Sequence, residues 1–77
     1  MNWKTENNKL TKTFEFPDFL STLAFVNKVA EVAEELGHHP EIFFTWGKAI
    51  ITTTTHDLDN KITEKDYILV DKIDKLS

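Results

Sequence analysis

A chain of 77 residues with 40% hydrophobic content, six Phe among it, has room for one domain with a modest core, and its composition excludes a disordered chain. Nine lysines, no arginine and thirteen acids give a formal charge of −4, which argues against nucleic acid as a direct partner, because phosphates call for a basic footprint. No cysteine is present, so no disulfide braces so small a domain, and oligomerisation is the remaining common support.

The elements can be read in order. Trp3 to Asn7 is expected to be a short strand, and Asn7-Asn8 a turn, since Asn tolerates positive φ. Leu10 to Phe16 alternates apolar and polar residues toward its end, the pattern of a half-buried strand. Pro17-Asp18 stops it, and Asp18 is the expected N-cap of a helix. Along that helix Phe19, Leu23, Val26, Ala30 and Ala33 form one apolar stripe, and Phe25, Val29, Val32 and Leu36 form another beside it. One stripe should lie on a sheet, the other under a second helix or another subunit. Gly37 suits the left-handed residue just past the helix end.

Glu41 to Trp46 and Lys48 to His56 then read as a hairpin around Gly47. Its second arm is β-branched, with Ile50, Thr52, Thr54 and His56 on one face. Phe44 and Trp46 are expected in the core. The four-threonine run reads as sheet surface rather than phosphate cradle, for want of a Gly-rich loop. Residues 57–61 form a polar loop. Thr63-Glu64-Lys65-Asp66 resembles a capping box, with Ile62 and Tyr67 at the staple positions, and a last helix carries Leu69, Ile73 and Leu76 on one stripe. Strand-strand-helix-strand-strand-helix predicts an α+β fold: one four-stranded antiparallel sheet with two helices on one face, as a single domain over 1–77. No apolar run reaches membrane-spanning length, and Met1 to Glu6 has no signal-peptide pattern, so a cytoplasmic protein is the default expectation.

All three histidines lie between Glu34 and Asp66. Histidine's unperturbed pKa is nearest neutrality, so an imidazole lends or takes a proton under cellular conditions. Pro40 holds His38 and His39 in a stiff exit from the helix, with side chains pointing in roughly opposite directions. The long hairpin arm can return His56 to the helix end, and Glu34, at i,i+4 from His38, is spaced to orient an imidazole. Taken singly each residue has a plain alternative. A histidine at a helix end caps the last carbonyls, His56 beside Asp57 sits in a solvated turn, and Glu34 and Glu35 are a solvated face. A zinc site is the other use of three histidines, but the spacing matches no known metal pattern and no Cys is available.

The joint pattern Glu34, His38-His39-Pro40, Trp46, His56 and Asp66 resembles that of pterin-4a-carbinolamine dehydratases. The likeness extends over nearly the whole chain, through Phe16 to Phe19, Glu35 to Glu41 and Ile51 to His56. It implies dehydration of a 4a-hydroxytetrahydropterin to the quinonoid dihydropterin by general acid and base, with no metal or redox cofactor. It implies that His38 and His56 act as acids toward the leaving hydroxyl. His39 would hold the pterin and assist as base, Glu34 would support the cluster, and Pro40, Thr54 and Thr55 would border the ring. Asp66 is expected to cap the last helix rather than to act in catalysis. The resemblance also implies homodimers joined at sheet edges, or homotetramers through helices, to which the Phe25 and Val32 stripe is assigned. Family members usually carry a further N-terminal helix, absent here, and Gly37 and Ile42 stand where polar and aromatic residues are common. The rival expectation is a non-catalytic binding or assembly protein on the same fold, of the dimerisation-cofactor or coactivator kind.

Overall fold

A computed structural model of the chain describes residues 2–56 and 59–76. Four strands form one antiparallel sheet: β1 (Lys4–Glu6), β2 (Lys9–Glu15), β3 (Glu41–Thr45) and β4 (Lys48–Thr53), in the order β1-β2-β4-β3. Helices α1 (Phe19–Leu36) and α2 (Glu64–Asp74) follow β2 and β4, giving the predicted β-β-α-β-β-α order. Of the polar loop expected at 57–61, residues 57 and 58 lie outside the described residues.

Local chemistry sets the turns. Asn7 and Asn8 have φ of 50° and 62°, which makes the two-residue connection between β1 and β2 a turn whose twist matches its strands. Gly47, in the connection between β3 and β4, has a different task. Phe16 N–H donates to the Gly47 carbonyl at 2.9 Å, and a Cβ on Gly47 would stand 3.3 Å from the Phe16 oxygen, a tight contact that glycine avoids.

The core lies between the sheet and the two helices, where Leu10, Phe14, Ala49 and Ile51 meet Phe25, Val29, Leu69, Val70 and Ile73. Phe14 and Phe25 bring their ring centres to 4.7 Å. At the far end of α2, Asp74 accepts from Trp3 Nε1 at 3.0 Å and from Lys12 Nζ at 3.1 Å, tying the helix to β2 and to the residue just before β1.

Three expectations change. The face of α1 on the sheet is Thr22, Phe25, Val29 and Ala33, so the Phe25 stripe is core and not a subunit interface. Phe19 and Leu20 are instead 49% and 75% exposed. The choice turns on Thr22, fully buried because its hydroxyl donates to the Asp18 carbonyl at 2.9 Å or the Trp46 carbonyl at 3.0 Å. Trp46 is 68% exposed rather than core, since it occupies the hairpin tip, whereas Phe44 stacks on Phe19 with ring centres 6.0 Å apart. Last, β4 stops at Thr53. Beyond it Thr54 Oγ1 donates to the Asn8 carbonyl at 2.9 Å, and Thr55 pairs with Lys61 through both backbone groups. Ile62 packs against the core, while its expected staple partner Tyr67 stays 48% exposed.

Candidate active site

The end of α1 aims the paired histidines. Gly37, at φ 66°, donates to the Glu34 carbonyl at 3.3 Å, and His38 N–H reaches the Ala33 carbonyl at 3.1 Å. These two crossed bonds are a Schellman ending. Backbone groups thus cap the last carbonyls, and the imidazoles are released for other partners.

His38 turns inward. Its side chain is 13% exposed, and Nε2 meets Asp66 Oδ1 at 2.6 Å. His39, the next residue of an extended segment, turns outward at 61% exposure and pairs through Nε2 with Glu34 Oε2. Glu34 therefore serves His39 and not, as the i,i+4 spacing predicted, His38. His56, past the end of β4, holds Asn60 Oδ1 through Nδ1 at 2.8 Å. Each ring has one nitrogen committed to an oxygen acceptor, as the donor, which leaves Nδ1 of His38, Nδ1 of His39 and Nε2 of His56 for a ligand.

Asp66 is fully buried yet surrounded by donors. Besides His38, Thr53 Oγ1 donates to Oδ1 at 2.7 Å, Thr55 Oγ1 to Oδ2 at 2.8 Å, and the Thr63 N–H to Oδ2 at 2.9 Å. Burial pushes the Asp66 carboxyl up. The bonds from His38, the Thr63 backbone, Thr53 and Thr55 together outweigh that and hold it below its ordinary value. Asp66 thus caps α2 as predicted, and it also anchors His38, a role its place in the capping box does not advertise. A legible signal was available: Thr53 and Thr55 share strand parity with core Ile51, and polar groups on a core face need a buried partner.

A cavity of about 230 Å³ opens between the end of α1 and the start of α2, lined by Gly37, His38, His39, Thr54, Thr55, His56 and Lys65. Five of the predicted site residues thus meet there: all three histidines, Thr54 and Thr55. Glu34 reaches it only through His39, and Glu34 and Pro40 are not among its lining residues. The two threonine hydroxyls point elsewhere, Thr54 to Asn8 and Thr55 to Asp66. Trp46 borders a separate cavity with Phe16 and Gly47 at the other end of the hairpin. Among the described residues no group of three or more His, Asp or Glu is spaced to hold a metal ion, and no helix is long and apolar enough to cross a membrane.

Comparison with known proteins identifies the family. The family model described as "Pterin 4 alpha carbinolamine dehydratase" matches residues 1–76. A Rubrobacter xylanophilus protein provisionally named pterin-4-alpha-carbinolamine dehydratase is 45% identical over 71 residues, 92% of this chain and 65% of its own length. A Thermosynechococcus vestitus protein with the same provisional name is 41% identical over 75 residues, covering 97% and 78%. The chain thus spans about two thirds to four fifths of the length of these relatives. The crystal structure of a transcriptional coactivator/pterin dehydratase from Brucella melitensis superimposes with a TM-score of 0.87 at 32% identity, over 95% of this chain and 79% of that one. A pterin dehydratase-like protein identified as a RuBisCO assembly factor in the alpha-carboxysome follows at 0.78 and 28% identity, over 97% and 86%. With a family model that matches residues 1–76 and a solved relative whose fold superimposes over 95% of the chain, the chain belongs to the pterin-4-alpha-carbinolamine dehydratase family.

Proposed function

We propose that the chain dehydrates a 4a-hydroxytetrahydropterin to the quinonoid dihydropterin, in recycling of the tetrahydropterin cofactor of aromatic amino acid hydroxylases. The observation that carries this reading is the convergence of three imidazoles on one small cavity, each with one nitrogen tied to an oxygen acceptor and the other available. The reaction breaks a ring carbon–hydroxyl bond. The hydroxyl leaves as water with a proton from an imidazolium, and the adjacent ring nitrogen gives its proton to a neutral imidazole. No electrons pass to another molecule.

His38 and His56 are the acids of this reading, on the inner and outer walls. The ionised Asp66 behind His38 orients its ring and offsets the imidazolium charge. His39, steadied by Glu34, holds the pterin and assists as base. Pro40 keeps that segment extended, and Thr54 and Thr55 border the ring through atoms other than their committed hydroxyls. Positioned groups of this kind contribute about a hundred- to ten-thousand-fold each. The working form is a cytoplasmic homodimer or homotetramer.

A second reading, a binding or assembly protein, is favoured by one structural neighbour being an assembly factor and by the exposure of Leu20, Phe43 and Trp46. Stopped-flow absorbance of 4a-hydroxytetrahydropterin decay decides between them. Acceleration by the native chain, lost in His38→Ala and His56→Ala that still fold, supports the dehydratase. No acceleration by the folded native chain supports the second reading.

A further inference from the structure

Among the described residues, one lysine, Lys65, lines the cavity. Lys65 lies in the first turn of α2, a position where the helix dipole favours acids; its neighbours Glu64 and Asp66 conform and Lys65 does not. It forms no ion pair with any of the described residues. The nearest buried charge, Asp66, is already saturated by four donors. Among the described residues, no carboxylate lines the cavity in a chain whose formal charge is −4.

Lys65 also borders a second cavity of about 130 Å³, which it shares with Gly37 and His38 and which Leu36 and Ile68 complete. Lys65 and Ile68 are three residues apart on α2, hence on one helix face, turned away from the core row Asp66, Leu69 and Ile73. The two cavities share Gly37, His38 and Lys65 in their walls, the larger one lined by imidazoles and the smaller one completed by aliphatic side chains.

We infer that Lys65 determines specificity by anchoring an anionic substituent, a phosphate or a carboxylate, on the pterin ring, with the linking atoms lying along Leu36 and Ile68. This deepens the dehydratase reading and rests on it. A substituent that extends from a ring among the histidines into the smaller cavity meets Lys65 and, among the described residues, no carboxylate. An ion pair at a partly solvated rim gives a preference of about fivefold, which added salt reduces.

Fluorescence titration with oxidised pterins, which bind without turnover, tests this. The probes are neutral 6-hydroxymethylpterin, its monophosphate, and pterin-6-carboxylate. The native chain and Lys65→Arg should bind one or both anionic pterins about fivefold more tightly than the neutral one, the phosphate and carboxylate arms telling which anion is read. Lys65→Gln should bind neutral and anionic pterins alike, and Lys65→Glu should disfavour the anions. Equal binding of all three by the native chain, or a preference that survives in Lys65→Gln, overturns the inference and leaves the dehydratase reading standing. Binding of no pterin by the folded native chain overturns both.

Discussion

Asp66→Asn is the substitution that most directly probes the buried network. The side chain keeps its volume, and one oxygen still accepts from the Thr63 N–H and Thr55. The new NH2 group then faces His38 Nε2 and the Thr53 hydroxyl, both of which donated to the carboxylate. Thr53 can rotate to accept, and His38 must move its proton to Nδ1, the nitrogen left for a ligand. The fold survives at a cost of about 1–3 kcal/mol, the worth of hydrogen bonds to a buried charge. Asp66→Ala leaves the donors without an acceptor and costs about 3–5 kcal/mol, against a total of roughly 4–12 kcal/mol for a domain of this length. Because the folded-state carboxyl titrates below its ordinary value of 3.8, its contribution is fully present above that value and drains away as pH falls through the lower one. Urea unfolding followed by circular dichroism should therefore show a gap between native and Asp66→Asn that is smaller at pH 3 than at pH 7. The same variant should lose turnover through the wrong His38 tautomer. A gap that does not change with pH, or an Asp66→Asn protein as stable as the native one, would refute the network as described.

Other predictions follow from single contacts. Gly37→Ala meets no steric neighbour, but its φ of 66° costs a side-chain-bearing residue about 1–2 kcal/mol, measurable as a lower urea midpoint. Thr22→Val preserves shape while removing the hydroxyl shared between Asp18 and Trp46, so thermal unfolding should register a loss of about 1–2 kcal/mol. Phe25→Ala, in the core rather than at an interface, should cost about 3–5 kcal/mol by the same assay, and light scattering should find the subunit count unchanged in whatever remains folded. An exposed His56→Ala should stay within about 0.5 kcal/mol of the native stability while losing turnover.

What was legible in the sequence was local. Asn7-Asn8, Asp18, Gly37 and the Thr63–Asp66 box each act over four residues or fewer, so their backbone consequences are written in neighbouring positions. The gathering of His38, His39 and His56 was visible as well, because the hairpin length fixes where its arm returns. Two features were not visible, for different reasons. The face of α1 that meets the sheet is chosen among several apolar stripes, and Thr22 decides it through a carbonyl 24 residues away. The assignment of Glu34 to His38 failed because i,i+4 neighbours meet only while the helix continues; the left-handed Gly37 rotates the chain and exchanges the two imidazoles. The His38–Asp66 bond spans 28 residues, and no local period encodes it.

The buried network bears on which of the two functions shaped the chain. An ionised carboxylate under the sheet is not a device for stability: apolar side chains of similar volume in place of a buried charged cluster commonly leave a protein as stable or more so. What Asp66, Thr53 and Thr55 achieve together is to fix one imidazole at the inner wall of the cavity. A protein working only through its outer surface gains nothing from that fixation. The exposed Trp46, at the tip of the β3–β4 hairpin, stands roughly 20 Å along the strand from Pro40, too far to touch a ligand held by its own chain's histidines. Site and outer surface should then be separable within one subunit. Trp46→Ser should leave the pterin affinity of an isolated subunit unchanged, as read by fluorescence at concentrations where light scattering finds monomers, while His56→Ala should leave the capture of any protein partner unchanged. Weakened pterin binding in monomeric Trp46→Ser, or partner capture that fails in His56→Ala, would show the two ends of the hairpin to be coupled and would count against a site contained within one subunit.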